Sequence, residues 1–125
     1  MSNSPERKTI MLIDDNPTSL SIGKDMLKEH YKVFPIASAK KMFDLLKNVT
    51  PDLILLDVEM PEMDGYEALE KLKNDTYQSS IPVILLSGNT SEESEKKALS
   101  MGAVGFLSKP FYSSQLTDYI HEHLK

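Results

Sequence analysis

The chain contains no cysteine. Disulfides, thiolate nucleophiles and zinc–thiolate sites are therefore excluded at the outset. Long hydrophobic runs are missing too. The apolar stretches are far shorter than the roughly 18 residues that a membrane-spanning helix needs. The opening MSNSPERK has no apolar core of the kind a secretory signal carries, so a cytoplasmic location without membrane contact is expected. Positive charge is in deficit: 14 Lys and Arg stand against 19 Asp and Glu, for a net charge of -5. A chain without a basic excess is not expected to bind nucleic acid directly. What is present is the composition of a globular domain, 125 residues with 40% hydrophobic and 26% charged, long enough to bury a core without covalent staples. The polar residues 1–6 are expected to form a disordered N-terminal extension, and residues 7–125 a single domain.

Two kinds of segment alternate along the chain. Short apolar runs stand at 9–13 (TIMLI), 32–36 (KVFPI), 52–56 (DLILL), 81–86 (IPVILL) and 103–107 (AVGFL). Between them lie segments with helical marks. Asn16-Pro17 sets a capping side chain before a proline at the first helical position. Ser38 stands ahead of Met42, Leu45 and Leu46, which repeat at helical spacing. Tyr66, Leu69 and Leu72 do the same after Gly65. Thr90 or Ser91 precedes Glu92, Glu93 and Glu95, acids at the end of a helix where the dipole favours them. Ser113 precedes Leu116, Ile120 and Leu124. Five strand–helix repeats with near-continuous apolar strands predict an α/β fold, a parallel five-stranded sheet covered on both faces. Right-handed crossovers make it a (βα)5 doubly wound three-layer sandwich. Pro35 cannot donate to a ladder, which suits the second run to a sheet edge. Met26, Met42 and Met101 are read as core, and the three histidines as surface residues.

In open α/β sheets, ligands bind outside the carboxyl ends of the strands. The residues that follow each run therefore matter most. Asp14 and Asp15 follow the first, Asp57 the third, Ser87 the fourth, and Ser108, Lys109 and Pro110 the fifth. Three carboxylates brought together repel and raise one another's pKa; a cation lets them ionise together. Oxygen donors without histidine or cysteine suit Mg2+ rather than zinc. A cation, an ammonium and a hydroxyl around one carboxylate form a layout that stabilises a phosphoryl group in transfer, and the carboxylate can itself be the nucleophile.

The segments IMLIDDN, LILLDVEMPEMDG, VILLSGN and GFLSKPF, in this order, resemble the hallmark segments of receiver domains of two-component response regulators, the family of the chemotaxis regulators. The resemblance runs over roughly residues 7–124. It implies the flavodoxin-like strand order 2-1-3-4-5 and a phosphorylation switch rather than an enzyme acting on other substrates. Asp57 would be the phosphoacceptor. Asp15, Asp57 and the backbone carbonyl of Glu59 would ligate Mg2+, with Mn2+ able to substitute, and Asp14 would act through water or orient the site. Lys109 would pair first with Asp57 and then with a phosphoryl oxygen. Ser87 would bond another phosphoryl oxygen, and Phe106 would change rotamer as Ser87 moves. The Lys109–Pro110 peptide would be cis. The donor would be a histidine kinase or a histidine phosphotransfer protein. The face made by the fourth helix, fifth strand and fifth helix would control an output domain or effector protein, and could join two copies as a homodimer. Ser87 stands where threonine is commoner, and Phe106 lacks a tyrosine hydroxyl. Glu59 and Asn89 occupy two variable positions that tune dephosphorylation.

Three rival readings are weaker. Asp14-Asp15-Asn16-Pro17-Thr18 resembles the D-x-D-x-T motif of haloacid-dehalogenase-type phosphatases, but Asn16 cannot be the general acid that motif requires. An FMN carrier of the same architecture needs a hydroxyl- and glycine-rich loop where two aspartates stand. A receiver-like module that is never phosphorylated would have no need of the intact acid set.

Overall fold

In the computed structural model, which describes residues 7–89, 91–109 and 113–124, the chain alternates strand and helix five times. The elements are β1 (Thr9–Ile13), α1 (Pro17–Leu27), β2 (Lys32–Ile36), α2 (Ala39–Leu46), β3 (Leu53–Asp57), α3 (Gly65–Lys73), β4 (Val83–Ser87), α4 (Glu92–Ser100), β5 (Gly105–Ser108) and α5 (Ser113–His123). All strand pairings are parallel, in the order β2-β1-β3-β4-β5. This is the doubly wound sandwich that the alternation of segments implies, with the flavodoxin-like strand order that the family resemblance implies.

The helix starts follow local chemistry. The Asn16 side chain accepts from the N–H groups of Thr18 and Ser19 ahead of Pro17. Ser38 accepts from Lys41 N, and Ser91 from Ser94 N. Asp64 and Glu67 form a reciprocal capping box, satisfying two orphan backbone donors at once.

The continuous apolar runs make sense once the sheet is covered on both sides. Side chains alternate across a strand. In β1, β3 and β4, Met11, Ile13, Ile54, Leu56, Val83 and Leu85 join one apolar cluster with α2, α3 and α4. Ile10, Leu12, Leu53, Leu55, Ile84 and Leu86 join the other, with α1 and α5. Every residue of β3 and β4 is buried. Edge strand β2 is half exposed. Lys32 N donates to Lys8 O on the β1 side, so alternation turns the N–H-less nitrogen of Pro35 away from the ladder.

The strands sit further along the chain than the apolar runs suggest. β1 and β2 coincide with TIMLI and KVFPI. The other three continue through Asp57, Ser87 and Ser108. Backbone pairing ignores side-chain polarity: Asp57 lies opposite Leu86, and Ser87 opposite Ser108. Conversely, Ile81-Pro82 and Ala103-Val104 lead into their strands from outside. Of the methionines read as core, Met42 is fully buried, whereas Met26 and Met101 are half-buried. His30 and His121 are exposed as expected, but His123 is half-buried. Its Nδ1 lies 2.8 Å from Tyr119 O, and its ring packs on Tyr119 one helical turn away.

Candidate functional site

The extension of β3 and β4 by one polar residue each decides where the chemistry lies. Asp57 and Ser87 are the last residues of adjacent, fully buried strands, each 2% exposed. Asp14 follows β1, next to β3, and is 3% exposed. Asp15 is exposed. Because β2 and β3 lie on opposite sides of β1, the strand order reverses there, which opens a crevice at the carboxyl edge. Carboxylate oxygens of Asp14, Asp15 and Asp57 all fall within 4.8 Å of one another.

Gly65 allows this tip to be compact. A Cβ there would lie 2.5 Å from Asp57 O and 2.7 Å from the Val58 Cα, distances that no side chain can occupy. The Gly65 N–H instead donates to Val58 O at 2.9 Å. The first turn of α3 thus rests directly on the backbone that carries Asp57. Between them, Glu62 takes a left-handed φ of 67°, a conformation that strains a side chain with a Cβ.

Lys109 reaches in from the end of β5. Its Nζ lies 3.2 Å from Asp14 Oδ2 and 3.0 Å from Asp57 Oδ1. The first contact is a hydrogen bond. The second is an ion pair at an angle too poor for one, and it leaves Asp57 Oδ1 buried without a directed donor among the described residues. The Lys109 backbone N–H donates to Ser87 O at 2.8 Å, which locks the base of this side chain to β4. Asp14 is fixed from both sides. Its N–H donates to Ile36 O, and its Oδ1 accepts from Asn16 N at 2.9 Å.

Burial pushes the Asp57 carboxyl up from an ordinary 3.8 to about 6. The Lys109 ammonium pulls it down, while the charges of Asp14 and Glu59 raise it further. Burial alone would lower Lys109, but the Asp57 and Asp14 carboxylates outweigh that and hold its pKa above the ordinary value. The site therefore carries more negative charge than its lysine neutralises. Its donors are all oxygens. It combines two buried carboxylates with one at the surface, where a cation can keep part of its water shell. These features fit Mg2+.

Ser87 is engaged by a group that sequence reasoning assigned a different part. Its Oγ lies 3.1 and 3.0 Å from the two carboxylate oxygens of Glu59, and the Gly88 N–H donates to Glu59 Oε1 at 2.9 Å. The sequence reading considered Glu59 for its backbone carbonyl and as a variable position that tunes dephosphorylation; the contact across 28 residues to Ser87 carries no local signal. Phe106 is buried in the cluster beneath α2, α3 and α4. Its N–H donates to the Tyr119 hydroxyl at 3.1 Å. Sequence reasoning missed Tyr119, although the glycine at 105 was a clue: a Cβ there would meet the Tyr119 ring and hydroxyl, 2.4 Å away at the closest. The expected cis peptide involves Pro110, which lies outside the described residues, as do residues 1–6. Asn16 is held as the α1 cap, with its side-chain oxygen facing backbone N–H groups.

A five-stranded doubly wound domain with an acidic, lysine-bridged crevice at its strand ends defines a class of protein, and comparison specifies which. Residues 10–121 match the family model described as the response regulator receiver domain; the chain belongs to that family and is a receiver domain of two-component signalling. It is 34% identical over 117 residues to a probable cyclic di-GMP phosphodiesterase of Vibrio cholerae, covering 94% of this chain and 26% of that protein. It is 29% identical to the chemotaxis protein CheY of Halobacterium salinarum, covering 94% of this chain and 97% of the relative. Among solved structures, the signal receiver domain of a signal transduction histidine kinase from Syntrophus aciditrophicus superposes with a TM-score of 0.84 at 32% identity, over 94% of this chain and 89% of that one. The chain spans 26% or less of the length of four curated relatives it matches. No described helix is long and apolar enough to cross a membrane.

Proposed function

We propose that the chain is a phosphoacceptor switch in which Asp57 takes a phosphoryl group from a histidine kinase or a histidine phosphotransfer protein. An Asp57 oxygen attacks phosphorus, the donor's P–N bond breaks, and its electron pair returns to the imidazole. The product is an acyl phosphate on Asp57. The observation that carries this reading is the meeting of the Asp14 and Asp15 carboxylates and Lys109 around Asp57, whose pKa burial raises. Asp57 ionises at about 6, so near neutral pH it is the carboxylate that the attack needs.

Asp14, Asp15, Asp57 and the Glu59 backbone carbonyl are the groups that would hold Mg2+, or Mn2+ in its place. When bound, the ion supplies positive charge that relieves the acids' repulsion and neutralises phosphoryl oxygens. Lys109, already fixed between Asp14 and Asp57, supplies a second positive charge. Ser87 and the Gly88 N–H are the donors at the tip of β4 for the remaining phosphoryl oxygens. Asp14, tied to Ile36 O and Asn16 N, keeps the acidic pair in register. On this reading residues 7–125 form one receiver domain, and its catalysis is confined to gaining and losing its own phosphoryl group in the cytoplasm.

The change at Ser87 reaches partners through Phe106 and the α4-β5-α5 face. α4 buries only Ala98, and Leu99 and Val104 expose apolar surface beside it. That face fits an output domain, an effector protein or a second copy of the chain. With Mg2+ and a small phosphodonor, the wild type should gain one phosphoryl mass and Asp57→Asn none, by intact mass spectrometry. Equal labelling of both proteins would remove Asp57 from this role.

A further inference from the structure

We propose that the Glu59 side chain is a built-in occupant of the phosphoryl-oxygen cradle at the tip of β4, and that phosphorylation must displace it. The inference rests on Asp57 being the phosphoacceptor. A hydroxyl has one proton and so has the Gly88 amide. The Ser87 Oγ has Glu59 Oε1 and Oε2 at 3.1 and 3.0 Å and Asn89 O at 3.1 Å, while accepting from Asn89 N at 3.0 Å. A carboxylate is the stronger acceptor, so the hydroxyl proton goes to Glu59. The Gly88 proton is committed to Glu59 Oε1 at 2.9 Å. Both donors are thus taken by one carboxylate, whose two oxygens present a charge and spacing like those of one edge of a phosphoryl group.

The reach of this side chain makes the arrangement possible. Glu59 lies two residues beyond Asp57, on the loop that leaves β3, and its carboxylate crosses to the end of β4. It remains at the surface, so it can swing out into water at small cost. Its charge is felt at Asp57, and a phosphoryl group there would repel it while competing for the same two protons. Incoming phosphoryl oxygens can use these donors only while Glu59 is out, so labelling is slowed in proportion to the fraction of molecules in which it is seated. Glu59 would therefore be a positioning residue that keeps the resting switch closed to incoming phosphoryl oxygens.

Two variants separate reach from charge. Glu59→Ala removes both, while Glu59→Asp keeps the charge and falls short of β4. The readouts are the rate of single-phosphoryl labelling from acetyl phosphate with Mg2+, and the Gly88 amide resonance without donor. Both variants should label at least about tenfold faster than the wild type, since one charge-assisted hydrogen bond already accounts for that factor and two are lost. The Gly88 amide proton should move upfield in both. Unchanged rates, with the wild type still labelled at Asp57, would overturn the latch and leave the phosphoacceptor reading intact. A gain confined to Glu59→Ala would assign the effect to charge alone and also overturn it. Slower labelling with weaker Mg2+ binding by calorimetry would make Glu59 a cation-holding residue instead. No labelling of any form would overturn the phosphoacceptor reading and this inference with it.

Discussion

The body and the tip of β3 contrast sharply. Leu53, Ile54, Leu55 and Leu56 are all 0% exposed and feed the two apolar clusters alternately. Each stabilises the fold by leaving water. Asp57, the next residue of the same strand, is as deeply buried, yet its charge is opposed by burial and by two neighbouring acids. One strand thus holds four residues selected by packing and one that the fold bears at a cost. The lesson is that burial has no fixed sign. The rigidity that three leucines and one isoleucine give β3 is what holds an unfavourable carboxylate in one place.

Leu55→Ala should give the largest effect. Leu55 lies at the centre of β3, paired with Leu12 on one side and Ile84 on the other. Deleting a buried leucine side chain costs about 2–5 kcal/mol, read as a lower urea midpoint. A loss under 1 kcal/mol would mean that the strand body is not the rigid part.

Asp57→Asn should move stability the other way. In the unfolded chain Asp57 ionises near its ordinary 3.8, whereas the folded state holds the proton up to about 6. Between these values unfolding releases a proton, so stability falls as pH rises, and the full penalty is present above about 6. The shift sets the gain from Asp57→Asn at no more than about 3 kcal/mol at pH 7, at roughly 1.4 kcal/mol for each pH unit. Measured in chelator, the gain should shrink toward zero below pH 4. A destabilised Asp57→Asn at pH 7 would show that the Lys109 pairing outweighs burial and would end the contrast between body and tip.

How far this contrast could be read from the sequence depends on the range of each interaction. The order of elements and the two-sided burial were legible, because near-continuous apolar runs and caps such as Asn16 and Ser38 are local signals. The cluster of Asp14, Asp15, Asp57 and Lys109 was legible as well, since a doubly wound sheet sends every strand end to one edge. The ends of β3, β4 and β5 were not, because hydropathy stops at Leu56 and Leu86 while backbone pairing runs one residue on. Glu59 reaching Ser87, and Tyr119 reaching the Phe106 N–H, depend on side-chain length and rotamer across 28 and 13 residues. No local pattern encodes those.

The smallest effect should come from the helices on either side of the tip, which repeat the same contrast. α3 and α4 each have nine residues and a capped start. α3 buries Gly65, Ala68, Leu69 and Leu72 and rests on the Asp57–Val58 backbone; α4 buries only Ala98. Among the described residues, Tyr66 also ties α3 to α4. The Lys97 Nζ sits 4.1 Å from its ring centroid, and its hydroxyl reaches Ser94 O only at 3.5 Å. An exposed cation over this half-buried ring contributes about 0.5–1 kcal/mol, and a hydrogen bond that long adds little. Tyr66→Leu should therefore cost about 1 kcal/mol or less in global stability, and Tyr66→Phe almost nothing. Amide exchange should show where the loss falls: the amides of α4 should open more readily in Tyr66→Leu while those of α3 stay protected. Uniform loss of protection across both helices would mean that α4 is as firmly built in as α3, and that the element beside Ser87 is not the one free to move.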